Sequence, residues 1–225
     1  MKLKKSLAVA AAVAGLVTLA VAPQASAKQA TADGFVPVDS VLGLNTIPAG
    51  KAKRSAAAAD EPTPVIILNE WSQRCLDASG KTNGSAIQLY DCDAAPSEVV
   101  YLSENPEGYI RIQNAATGRY VDASKSVPGG GANGTKVQLW DFVSGGTNQW
   151  WLPVKNAEGH WRLQNVWSGR YLDASLHNPG GGVNGTKVQL WDFTAGGSNQ
   201  WWPAYLVETP PAAAAKAPRP SGNDW

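Results

Sequence analysis

Between residues 65 and 207 the chain is built from short runs in which apolar and polar side chains alternate, separated by glycine-rich turns. Alternation with a period of two marks half-buried strands, and no stretch there shows the spacing of an amphipathic helix. The clearest stretch predicts four strands in succession. Residues 110–113 alternate, 114–118 form a turn, and 119–123 make a second strand. A glycine-rich loop leads to a third strand over 136–142, with Val137 and Leu139 on one face and Gln138, Trp140 and Phe142 on the other. Gly145-Gly146 then turns the chain into a fourth strand over 149–152.

This four-strand pattern repeats. Residues 108–153 laid over 159–204 coincide at most positions, and a more diverged copy occupies 65–102. Its Asn69, Arg74, Asp77, Gln88 and Asp91 fall in register with Asn114, Arg119, Asp122, Gln138 and Asp141 once a shorter loop is allowed. A propeller needs more than three blades to close around its axis. Three units around one core instead predict an all-β fold, a β-trefoil of three four-stranded repeats with pseudo-threefold symmetry. Cys75 and Cys92 stand where the other copies have Tyr120 and Phe142, or Tyr171 and Phe193. The two positions are therefore expected to face each other, closed by a disulfide once and by packed rings twice.

The flanks read differently. Lys2, Lys4 and Lys5 precede an apolar stretch, and Ala25-Ser26-Ala27 offers a small-residue cleavage pattern, so residues 1–27 read as a secretory signal peptide. No other apolar run is long enough to span a bilayer. Export suits a pair of bridged cysteines, since disulfides persist in oxidising compartments. Residues 28–64 form an N-terminal extension and 208–225 a C-terminal tail, both expected to lack a fold of their own. Within the extension, 33–48 is too apolar for a plain linker, with Phe35, Val36, Val38, Val41, Leu42, Leu44 and Ile47 close together. It is expected to dock in a groove of a secreted partner, the competing outcome being an extra strand on its own trefoil. The formal charge of +1, without a basic patch in the repeats, argues against a nucleic-acid partner.

The strings Gln149-Trp150-Trp151 and Gln200-Trp201-Trp202 resemble the Gln-x-Trp signature of ricin-type lectin domains, also called family-13 carbohydrate-binding modules. Tyr-Val/Leu-Asp-Ala-Ser, Val-Gln-Leu-Trp-Asp and Asn-Gln-Trp-Trp follow in that family's order in the second and third copies. The resemblance spans 65–207 and implies a β-trefoil that binds carbohydrate. It implies that Asp122 and Asp173 accept hydrogen bonds from sugar hydroxyls, and that Trp140 and Trp191 stack on the ring. Asn148 and Asn199 would give a side-chain amide to a hydroxyl. Gln149 and Gln200 would brace the aspartate, and Gln138 and Gln189 would line the shelf. The first copy keeps Asp77, Gln88 and Tyr90 as a weaker site, its Asn-Gln-x-Trp motif replaced by Glu98-Val99-Val100-Tyr101. Removing Asp122 or Asp173 is expected to weaken binding with little effect on folding.

Two features sit beside this resemblance. The second and third copies insert Pro128-Gly129-Gly130-Gly131 and Pro179-Gly180-Gly181-Gly182 before the stacking tryptophan, where the insert could widen the pocket, cover it or serve another partner. Asn83, Asn133 and Asn184 each lie in an Asn-Gly-Ser/Thr string, read as a turn before a strand rather than as a glycosylation site. Enzymatic readings find little support. His160 and His177 lie in different loops, no nucleophile-elbow string occurs, and no metal spacing or cofactor motif is present. The leading expectation is a secreted, non-catalytic lectin. The alternative is a secreted adaptor of an extracellular complex, such as a toxin particle, holding proteins through residues 33–48 and the trefoil.

Overall fold

The computed structural model of the chain describes residues 36–37, 64–127 and 130–207. The expected signal peptide, the tail from 208 and most of the extension lie outside them. The strands are β1 (Val36–Pro37), β2 (Pro64–Ile67), β3 (Cys75–Ala78), β4 (Ile87–Tyr90), β5 (Val100–Glu104), β6 (Ile110–Asn114), β7 (Tyr120–Ala123), β8 (Val137–Trp140), β9 (Trp151–Lys155), β10 (Trp161–Asn165), β11 (Tyr171–Ala174), β12 (Thr186–Trp191) and β13 (Ala204–Leu206).

Each copy gives its first and fourth strands to a barrel and its middle two to a hairpin. Antiparallel neighbours run β13–β2–β5–β6–β9–β10. The ring closes where Trp202 N donates to Trp161 O at 2.8 Å and Trp161 N returns the bond at 3.3 Å. The hairpins β3–β4, β7–β8 and β11–β12 share one register, in which Asp77 opposes Gln88, Asp122 opposes Gln138 and Asp173 opposes Gln189. This is the predicted trefoil. One boundary moves, because the fourth strand of the second copy begins at Trp151 after a 3₁₀ turn over Thr147–Gln149. That turn points the Gln149 side chain back to Asp122 instead of along the sheet.

Alternation decides what is buried. Ile110 and Ile112 face the core with Leu163, Val121, Leu139, Leu172 and Leu190. Trp151 and Trp202 are fully buried wedges whose indole N–H groups donate to Val121 O and Leu172 O at 3.2 and 3.0 Å. Arg111, between the two core isoleucines, points the other way. Its guanidinium lies 3.8 Å from the Trp150 ring centroid and 4.5 Å from that of Phe142. Arg162 repeats this at 4.0 Å from Trp201 and 4.3 Å from Phe193. The second tryptophan of each Trp-Trp pair is thus a core residue, and the first is a cation–π platform.

The first copy rebuilds this spot as a set. In register, Ile66 replaces the arginine, Val99 the tryptophan, and Cys75 and Cys92 the tyrosine and phenylalanine. Cys75 and Cys92 form a disulfide with a Cα–Cα distance of 5.1 Å, where Tyr120–Phe142 and Tyr171–Phe193 have ring centroids 5.8 Å apart. An aromatic sandwich around a charge has been exchanged for an apolar cluster with a covalent tie.

The seams between copies use the Asn-Gly strings. Asn133 Oδ1 accepts from Asp192 N at 2.8 Å and Arg170 Nε at 2.9 Å, and its Nδ2 donates to Asp192 Oδ2 at 2.8 Å. Asn83 does the same with Asp141 and Arg119, and Asn184 bonds Asp91 and Arg74. Gly134 follows in left-handed backbone at φ +83° with its N–H bonded to Leu190 O, a conformation suited to glycine. These strings are turns whose asparagine pins one copy to the next.

The apolar extension takes the competing outcome in part. Val36–Pro37 pairs antiparallel with Tyr205 and Leu206 of β13, so these two residues add a strand to the chain's own trefoil. The rest of 33–48 lies outside the described residues.

Candidate functional site

Beside each hairpin sits a cleft, and the hairpin register explains its composition. Since Asp122 opposes Gln138 on adjacent strands, the glutamine reaches the carboxylate directly, Nε2 to Oδ1 at 3.1 Å. The 3₁₀ turn brings two further amides to the other oxygen. Asn148 Nδ2 donates to Asp122 Oδ2 at 2.7 Å and Gln149 Nε2 does so at 3.1 Å. The third copy reproduces the cage, with Gln189, Asn199 and Gln200 at 3.1, 2.8 and 3.0 Å from the Asp173 oxygens. Both aspartates are nearly buried, and loss of water around the carboxylate raises its pKa above the ordinary value. The amide donors oppose that shift. A carboxylate offers about four lone-pair directions, so the cage leaves Oδ1 with capacity for one more donor.

Trp140 and Trp191 flank these carboxylates with 38% and 39% of their surface exposed, a half-open ring suited to an apolar ligand face. Each indole edge rests 4.0 Å from where a Cβ would stand on the preceding copy's Gly84 or Gly134. The second-copy cleft has a volume of about 420 Å³ and the third-copy cleft about 240 Å³.

Of the ten residues expected in the second and third copies, eight therefore gather as two cages, and Trp140 and Trp191 flank them. One role changes. Asn148 Nδ2 is committed to Asp122 and to Ala123 O (3.0 Å), and Asn199 Nδ2 to Asp173 and Ala174 O (2.9 Å). Neither amide is free to donate to a hydroxyl, and both act as braces. The aspartates also accept the amides that hold the site together, so their removal is expected to cost stability as well as binding. Sequence reasoning missed the loop after the aspartate. Lys125, Ser126 and Val127 line the second cleft, and Leu176 and His177 the third. Their position within five residues of the aspartate was the available signal. His160 lies elsewhere, its Nδ1 3.0 Å from Glu70 Oε2. Of the glycine-rich inserts, the described Gly131 and Gly182 pack away from the cleft-lining residues. Gly131 and Gly182 lie against Trp167 and Trp71 of the next copy, where a Cβ would approach within 2.9 and 3.0 Å of the indole carbons.

In the first copy Gln88 Nε2 donates to Asp77 Oδ2 at 2.8 Å, and Tyr90 is exposed beside them. The motif alignment there shifts by one residue. Asp93 N donates to Glu98 Oε2 at 3.1 Å, as Val143 N donates to Gln149 Oε1 at 3.0 Å. Glu98 thus holds the brace position and Ser97 the asparagine position. Burial pushes the Glu98 carboxyl up to about 8, with Asp93 and Asp77 adding like charge and backbone N–H groups opposing. A protonated carboxylic acid has one donor and one acceptor side, much as an amide has. Because the folded-state pKa is raised, the associated stability is complete below the ordinary carboxylate pKa of 4.5 and is lost as pH rises through about 8. Thermal unfolding should show the melting temperature falling between pH 5 and pH 8.5. Glu98→Gln should remove most of this slope and raise stability at pH 8.5 by about 1–2 kcal/mol. An unchanged slope in the variant would assign the pH dependence to other groups.

Comparison with known proteins agrees with the fold. The family described as "Ricin-type beta-trefoil lectin domain-like" matches residues 58–140 and 99–191. No curated protein matches the sequence. Among solved structures, the designed threefold-symmetric protein ThreeFoil is 22% identical, covers 63% of this chain and 97% of its own, and has a TM-score of 0.57. A ricin B-like lectin of Macrolepiota procera, solved with lactose, is 20% identical at a TM-score of 0.52, covering 64% of this chain and 95% of its own. The exo-β-1,3-galactanase 1,3Gal43A of Clostridium thermocellum is 25% identical over 66% of this chain, with a TM-score of 0.58. The chain spans 31% of that enzyme and 18% of a mosquitocidal holotoxin that shares the fold at 17% identity.

Proposed function

The chain belongs to the ricin-type β-trefoil lectin family, and from that premise we propose that it is a secreted, non-catalytic lectin binding carbohydrate in its second- and third-copy clefts. The observation that carries this reading is the pairing, twice over, of a caged carboxylate with a half-exposed tryptophan. A pyranose presents neighbouring hydroxyls to one and a C–H face to the other. Gln138, Asn148 and Gln149 hold Asp122 in place, as Gln189, Asn199 and Gln200 hold Asp173, so little side-chain entropy is lost on binding. A single cleft of this kind binds at around millimolar, about 4 kcal/mol. Two clefts on one rigid body gain by multivalency on a polysaccharide or cell surface. The Cys75–Cys92 disulfide supports export to an oxidising compartment.

The adaptor reading gains no comparable support. The two described residues of the apolar extension pair with β13 of the same chain. A glycan array probed with the intact protein, beside a pull-down from culture supernatant, tests the proposal. Saturable binding to a family of related glycans is expected. A co-purifying protein without glycan binding would replace the lectin reading by the adaptor.

A further inference from the structure

The three seams between copies are not equivalent. Where the second copy meets the third, Gly131 of the glycine-rich insert lies on Trp167, and Arg170 Nη1 donates to Gly131 O at 2.7 Å. The seam between third and first copies repeats this with Trp71, Gly182 and Arg74, again at 2.7 Å. Between the first and second copies the arginine remains, Arg119 Nη1 donating to Lys81 O at 2.7 Å. Both fillers are gone, however. The first copy lacks the Pro-Gly-Gly-Gly insert, and Ala116 stands where the other copies hold the indole. The result is a cleft of about 310 Å³ between Gly80-Lys81 and Ala116-Thr117, walled by Pro96 and Asn114.

This seam cleft adjoins the first-copy site, a cleft of about 240 Å³ holding Asp77, Gln88 and Tyr90. The two share Ala78, Ser79 and Ser97 as a common wall. One substitution and one shortened loop set the character of that wall. Ser97 replaces the asparagine whose amide, in the second copy, ties Asp122 to Ala123. Ser124 and Ser175, the counterparts of Ser79, accept with their hydroxyls from backbone N–H groups of their own longer loops. The shorter first-copy loop makes no such demand on Ser79. Asp77 accepts from Gln88, where Asp122 accepts from three amides, so its carboxylate has more capacity for ligand hydroxyls.

We propose that the first copy binds a glycan of two or more linked residues, the first against Asp77 and Tyr90 and the next in the seam beside Ala116. Ser79 and Ser97 meet the ligand at the linkage between them. The inference rests on the lectin reading but reverses the rank of the copies: the first is a different site, selective for chain length. Its test uses the full chain carrying Trp140→Ala and Trp191→Ala, which silences the other two clefts. The probe is an array printed with monosaccharides and their linear di-, tri- and tetrasaccharides. Residual binding is expected only to the disaccharides and longer chains. Adding Ala116→Trp, which fills the seam as the sister copies do, should reduce that binding at least tenfold. Adding Ser79→Ala instead should reduce it about threefold. Residual binding to monosaccharides alone, no residual binding at all, or indifference to both added substitutions would overturn the proposal. Failure of the unmutated chain to bind any glycan would instead remove the lectin reading itself.

Discussion

The double variant Asp122→Ala/Asp173→Ala is expected to lose monosaccharide binding and to unfold at a markedly lower temperature. The loss of binding follows from removing the acceptor for the hydroxyls. The loss of stability follows from the cage. Each alanine strands side-chain amides of Gln138, Asn148 and Gln149, or of Gln189, Asn199 and Gln200, in a nearly buried setting. A buried donor left without an acceptor costs about 1–3 kcal/mol, and partial relaxation brings the expected total to about 2–4 kcal/mol per site. Calorimetric unfolding alongside the glycan array checks both halves. Unchanged stability would mean that the amides find other acceptors, and that the carboxylate is not the hub described here.

The second large effect concerns the first copy's covalent tie. Cys75→Ala/Cys92→Ala opens a link of sequence separation 17, which on the chain-entropy model costs roughly 3 kcal/mol. For a domain of this size that corresponds to a melting temperature lower by about 6–12 °C. Since the two cysteines were exchanged together with Ile66 and Val99, the repair should also be collective. Ile66→Arg, Cys75→Tyr, Cys92→Phe and Val99→Trp, introduced as a set, should regain most of the loss by rebuilding the ring-and-guanidinium packing of Arg111 and Arg162. Cys75→Tyr/Cys92→Phe alone should not, because the rings would then pack on Ile66 without the cation. Thermal unfolding of the four proteins separates these outcomes. If the set of four were no more stable than the alanine pair, the two solutions would not be interchangeable.

The trefoil was legible because three copies of one alternating pattern leave few architectures. The paired cysteines were legible because the sister copies write the same contact in aromatic residues. The cages were half legible. Residue types and order identified Asp122, Gln138 and Gln149, but only three-dimensional placement shows that Asn148 turns its amide inward. The first-copy motif slipped by one residue because nothing in Ser97-Glu98-Val99-Val100 resembles Asn-Gln-Trp-Trp side by side. Its register appears only through the bond from Asp93 N to Glu98. From sequence the glycine-rich inserts could widen the pocket, cover it or serve another partner, because they follow the aspartate. Trp167 and Trp71, the partners of Gly131 and Gly182, lie in another copy, so local reading could not find them.

Trp140 and Trp191 are the proposed sugar platforms of the second and third copies. Both side chains are half exposed and lie outside the carboxylate cages, so their removal should affect the ligand far more than the fold. The decisive measurement compares the unmutated chain with Trp140→Ala/Trp191→Ala on an array of monosaccharides, with thermal unfolding recorded for both. Cooperative unfolding of both proteins and loss of monosaccharide binding in the variant are expected, and equal monosaccharide binding by the two proteins would show that the tryptophans are not sugar platforms.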